Sequence, residues 1–99
     1  MSHQELLDVL RETRTWLTRP NNDFVWSSWN SQDEAVRELD SYVAEIARGA
    51  RPDLEILFAP TGSIQEVSLS SGWGEEFIDL ASRFDRAWAA YCAEQAKQE

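Results

Sequence analysis

The sequence predicts an α+β fold, one domain over residues 1–99 in the order α-α-β-β-α, with a β-hairpin packed on helices. Three observations carry that expectation. Apolar residues recur at three- and four-residue steps in three separated stretches, the pattern between them changes to two short β-favouring runs, and a Pro-Thr-Gly sequence divides those runs.

In the first stretch, Gln4 to Thr18, the residues Leu6, Leu10, Thr13 and Leu17 fall on one helical face, flanked by Leu7, Val9 and Trp16. Pro20 ends this helix. From Arg19 to Asn30 the periodicity disappears: the turn formers Asn21, Asn22, Asp23, Ser27 and Ser28 alternate with Phe24, Val25, Trp26 and Trp29. The result is a loop carrying aromatic side chains. Ser31 with Glu34 three positions later forms a capping-box signature. Val36, Leu39, Val43 and Ile46 then mark the buried face of a second helix, which Gly49 stops.

After Arg51-Pro52 the runs Leu54–Ala59 and Ile64–Ser70 read as strands, joined by a turn from Ala59 to Gly62 with Pro60 and Thr61 at its centre. In that register Leu54, Ile56, Phe58, Ile64, Glu66 and Ser68 share one face, and Leu57, Gln65, Val67 and Leu69 share the other. Both faces are apolar, and a two-stranded hairpin is marginal alone. It is therefore expected either to extend into a larger sheet through another chain, giving a homo-oligomer, or to be covered by helices on both sides. Ser70-Ser71-Gly72-Trp73-Gly74 breaks the strand and leads into a third helix. Glu75 and Glu76 stand at its positive end, Phe77, Ala81, Phe84, Trp88 and Tyr91 form its inner stripe, and it runs to about Ala96.

Hydrophobic residues make up 42% of the chain and charged ones 27%, a balance that places it among folding rather than disordered sequences. Eighteen carboxylates against nine basic side chains leave a net charge of −9, which disfavours nucleic acid and anionic membrane as partners and favours a basic protein. No apolar run approaches the roughly 20 residues that span a bilayer. Glu5 and Asp8 stand where a signal peptide needs positive charge, so a soluble cytoplasmic protein is expected. A lone cysteine, Cys92, precludes an internal disulfide, and the one histidine, His3, sits at a terminus.

The residues expected to make contacts are Asn22, Asp23, Trp26, Trp29, Gln65, Glu66 and Trp73. Indoles offer rigid contact area, and short polar side chains beside them offer hydrogen bonds; the same tryptophans can instead fill the core of a small protein. Ser70–Gly74 lacks the spacing and lysine of a phosphate loop. Glu66, on a strand face with Ile56 and Phe58, calls for a counter-ion from Arg51, Arg83 or Arg86. No catalytic residue, metal ligand or cofactor is assigned. The expected function is a non-enzymatic interaction module of bacterial type, an adaptor or an immunity-like inhibitor docking onto a basic protein. The alternative is a small-ligand protein with a pocket lined by Trp26, Trp29, Trp73, Asn22 and Gln65.

Overall fold

Every regular element among the described residues is an α-helix, so the expected α+β architecture gives way to a helical bundle. The computed structural model describes residues 2–20, 22–24, 27, 29–59 and 62–98, with the side chains of residues 2, 3, 56 and 96–98 outside that description. The helices are α1 (Ser2–Leu17), α2 (Gln32–Ala47), the single turn α3 (Glu55–Phe58), α4 (Ser63–Ser71) and α5 (Gly74–Gln98). At about 1.5 Å per residue α5 is about 37 Å long, most of the molecule's 42 Å long axis. Helix α1 packs on both α2 and α5, while α4 packs on α3 and α5.

The long helices follow the sequence pattern in the main, although in α2 Ala35 is buried where Val36 is expected, and Val36 and Val43 are half-buried. Leu6, Leu10, Thr13 and Leu17 of α1 are all buried, and the Thr13 hydroxyl is satisfied by donating to the Val9 carbonyl at 2.8 Å. Leu39 and Ile46 of α2 meet them, as do Phe77, Leu80, Phe84 and Tyr91 of α5, in one continuous core. Ser31 caps α2 by accepting from the Glu34 N–H at 3.3 Å, and the Glu34 carboxylate reaches one residue further back than a capping box requires, to the Asn30 N–H at 3.2 Å. At the other end Gly49 adopts φ +84°, its N–H bonding Ile46 O at 3.0 Å while the Ala50 N–H bonds Glu45 O at 2.9 Å, a complete Schellman closure.

The hairpin is where expectation and structure part. Residues 55–58, preceded by Leu54 as N-cap, and 63–71 are helical, and the buried positions run Leu54, Leu57, Phe58 and then Ile64, Val67, Ser68, the same three-then-four spacing in both. Alternation would have grouped Leu54 with Ile56 and Phe58, and Gln65 with Val67 and Leu69. As helices both segments turn their apolar positions to one side, into the common core, whereas two strands without a third would leave two open rows of N–H and C=O groups. The turn at Pro60 and Thr61 lies outside the described residues; the Gly62 N–H bonds the Ala59 carbonyl at 2.9 Å, joining α3 to α4 rather than two strands. Among the described residues there is no hairpin and hence no strand edge to extend through a second copy, so the expected route to a homo-oligomer falls away.

Gly72 ends α4 at φ +85°, and the following Trp73 N–H returns to Ser68 O at 2.9 Å. A Cβ at Gly72 would meet nothing within 4 Å, so Gly72→Ala tests backbone strain alone. It is expected to lower stability by about 1–2 kcal/mol, the cost of a left-handed residue with a side chain. Denaturant titration reads this, and an unchanged midpoint would mean that the junction relaxes.

Across α1 and α5 the Arg83 guanidinium donates to both oxygens of Glu12 at 2.7 and 2.9 Å and reaches Asp79 at 2.8 Å. The Arg83 hydrogen bonds outweigh partial desolvation and hold the Glu12 carboxyl below its ordinary 4.5. Because the folded value is the lower one, this contribution is complete above the unfolded value near 4.5 and disappears as pH falls through the folded value. The stability difference between wild type and Glu12→Gln should therefore be below about 1 kcal/mol at neutral pH, since both groups are solvent-accessible. It should shrink in acid; a difference that stays constant down to pH ~2 would contradict the assignment.

Candidate functional site

The loop after α1 and the junction between α4 and α5 meet, although about fifty residues separate them in sequence. Trp73, only 2% exposed, donates its indole N–H to Asn22 Oδ1 at 2.9 Å, and the Asn22 amide nitrogen donates to the Trp16 carbonyl at 2.8 Å. The Trp73 ring stacks on Trp16 with centroids 5.3 Å apart, and the Arg19 guanidinium lies 4.5 Å above the Trp16 ring. Asp23 adds a second tie through its backbone N–H, which bonds Ser71 Oγ at 2.8 Å. Asn22, Asp23 and Trp73 thus form one cluster, in which the Trp73 ring faces inward while Asn22 and Asp23 are half-buried beside an open groove.

Trp29 is likewise buried, at 4% exposure, with its indole N–H 2.7 Å from Glu38 Oε2 on α2. Trp26 lies outside the described residues. Gln65 and Glu66 stand on α4, half-buried; Gln65 borders a different groove from the one beside Asn22, Asp23 and Trp29. Glu66 does not receive Arg83, which is committed to Glu12 and Asp79. The structure therefore ties Asn22 and Asp23 to the α4–α5 junction at Trp73 and Ser71, sets Trp29 beside Asn22 and Asp23 on one open groove, and places Gln65 and Glu66 apart on α4.

The surface feature lies nearby. Leu69 on α4 and Ile78 on α5 are the exposed large hydrophobics among the described residues, at 63% and 68%. Both line one open groove of about 490 Å³ at the α4–α5 junction, together with Gln65, Gly72, Gly74 and Phe77. The local helices set this up. Ile64, Val67 and Ser68 turn inward, which leaves Gln65 and Leu69, four residues apart, on the outer face of α4. On α5 the buried stripe passes through Phe77, Leu80 and Phe84, and Ile78 sits beside it rather than in it. Gly74 lets Leu69 lie close to the helix start, since a Cβ there would stand 3.0 Å from Leu69 Cδ2.

Glu75 and Glu76 border the same groove, and both are exposed. They belong to a longer asymmetry: from Pro52 to Ser82 the chain contains six carboxylates, Asp53, Glu55, Glu66, Glu75, Glu76 and Asp79, and no lysine or arginine. The nearest cation on α5, Arg83, is held by Glu12 and Asp79. No salt bridge within the described residues engages Glu75 or Glu76. Such a field attracts cations and basic side chains, while the adjacent leucine and isoleucine offer apolar area to a partner that can cover them.

Reading the sequence for strands concealed this surface by assigning Leu69 to a hairpin face, and it passed over Ile78. Two signals were present: an isoleucine one step off the inner stripe of a helix, and thirty-one residues without a positive charge. No helix among the described residues is long and apolar enough to cross a membrane. No protein-family model, curated protein or solved structure matches the chain.

Proposed function

We propose that the protein is a non-enzymatic interaction module of the cytoplasm, an acidic adaptor or inhibitor that docks onto a basic protein through the α4–α5 face. The observation that carries this is the placement of Leu69 and Ile78, both more than half exposed, in one groove bordered by Glu75 and Glu76 within a stretch that has no basic side chain. Apolar area at the centre with charge at the rim is the anatomy of a protein interface, and the excess of carboxylates supplies both attraction to a basic surface and discrimination against acidic ones. Inhibitors of the immunity type match a basic enzyme in this way. The tryptophans that suggested a ligand pocket support the same reading indirectly, because Trp29 and Trp73 spend their indole N–H groups within the protein and hold the bundle rigid behind the surface.

The test is capture from lysate of the source cell at low and high salt, with wild type and Leu69→Ser/Ile78→Ser compared. Wild type is expected to retain a basic protein in stoichiometric amount at low salt, to release it at high salt, and the double variant is expected not to retain it. Equal capture by the double variant, or retention of a small molecule in place of a protein, would overturn the proposal.

A further inference from the structure

Resting on the docking face proposed above, we infer that its occupant is an amphipathic α-helix of the partner, whose apolar residues seat against Leu69 and Ile78 and whose flanking lysines or arginines face Glu75 and Glu76. The groove determines the backbone of what fills it. Both of its sides are helices, and the junction between them is closed by the Trp73 N–H to Ser68 O bond at 2.9 Å and the Phe77 N–H to Trp73 O bond at 3.0 Å. There is no strand edge among the described residues to pair with an extended peptide. An extended segment pressed into such a groove would bury N–H and C=O groups against side chains, whereas a helix arrives with its own backbone bonds made.

Space and charge agree with that occupant. Nothing stands within 4 Å of the position a Cβ would take at Gly72, so an incoming side chain can approach the backbone there. A second copy of this chain is the wrong partner for the same face, because it would bring its own Glu75 and Glu76 against these and like charges across an interface repel. A basic helix meets the field with opposite sign.

The experiment is a fluorescence-anisotropy titration with three labelled synthetic peptides of equal charge: leucine and lysine in amphipathic helical order, the same composition in strict alternation, and lysine with serine. The helical-order peptide should bind wild type at least tenfold more tightly than either of the others. It should lose at least tenfold with Leu69→Ser/Ile78→Ser, and should lose part of its salt dependence with Glu75→Gln/Glu76→Gln. Leu69 and Ile78 are exposed, so the first double variant should melt as wild type does. If the alternating peptide binds as well as the helical one and both weaken in Leu69→Ser/Ile78→Ser, the docking face stands and the helical occupant is overturned. If the helical-order peptide binds and that variant leaves its affinity unchanged, or if the lysine–serine peptide binds equally well, the apolar face itself is overturned. Absence of binding by any peptide at low salt also overturns the helical occupant, and the capture experiment then judges the docking face by itself.

Discussion

Trp73→Ala is expected to lower folding stability by about 3–5 kcal/mol, the range for removing a fully buried large aromatic side chain. Three losses coincide at this position. The ring is 2% exposed, it stacks on Trp16, and its N–H satisfies Asn22 Oδ1 at 2.9 Å. A domain of this size has a total stability on the order of 5–15 kcal/mol, so the variant approaches the edge of folding at physiological temperature. Trp73→Phe separates the contributions: it retains an aromatic ring and removes the donor, and should cost about 1–3 kcal/mol through the unsatisfied carbonyl of Asn22. Urea titration followed by far-ultraviolet circular dichroism measures both. A loss below about 1 kcal/mol in Trp73→Ala would mean that the ring is dispensable and that the cluster around Asn22 does not fasten the bundle.

Phe84→Ala should cost a similar amount, about 3–5 kcal/mol, and should also act locally. Phe84 lies between Phe58, at a centroid distance of 4.1 Å and nearly parallel, and Trp88, at 5.8 Å. The same column continues to Tyr91, which donates to the Ala50 carbonyl. Helix α3 is a single turn, too short to be stable by its own hydrogen bonds. It is held by its packing on α4, by Phe58 on Phe84, and by Glu55, which accepts from the Trp88 indole at 2.7 Å. In Phe84→Ala the backbone N–H of Leu57, bonded to Leu54 O at 3.0 Å, should therefore exchange with solvent before the bundle as a whole opens. Hydrogen exchange resolved by residue checks this; unchanged protection at Leu57 relative to global stability would show that α3 is anchored elsewhere.

These two variants and the docking pair divide the aromatic and aliphatic side chains by task. Trp29 and Trp73, two of the three tryptophans that resembled contact residues in the sequence, fasten the loop after α1 to α2 and α1 to the α4–α5 junction. The contacts offered outward come from Leu69 and Ile78, whose replacement should leave stability within about 0.5 kcal/mol.

Much of the bundle was legible from the chain. Helices α1, α2 and α5 each run sixteen residues or more, long enough for Leu6, Leu10, Thr13 and Leu17, or Phe77, Phe84 and Tyr91, to trace one face that no strand could reproduce. The stops were legible too, because Pro20 and Gly49 act through their own backbone geometry whatever surrounds them. The net charge and the run without basic residues are likewise properties of the chain.

The segment from Leu54 to Ser70 was not legible in this way. Over four to nine residues a period of two and a period of 3.6 fit the same few apolar positions, and Ile64 and Val67 are residues that favour strands. The choice fell to packing: as helices, α3 packs on α4 and α4 on α5, and Leu57 and Phe58 are buried in one core with Ile64 and Val67. The site depended on packing in the same sense. Asn22 meets Trp73, and Leu69 meets the Ile78 groove, through contacts between separate elements, and local pattern carries no information about which surfaces of different helices become neighbours. Periodicity is a property of a segment, whereas burial and exposure are properties of the assembled bundle. That is why the sequence could count five tryptophans but only the fold could say that Trp29 and Trp73 look inward while a leucine and an isoleucine look out.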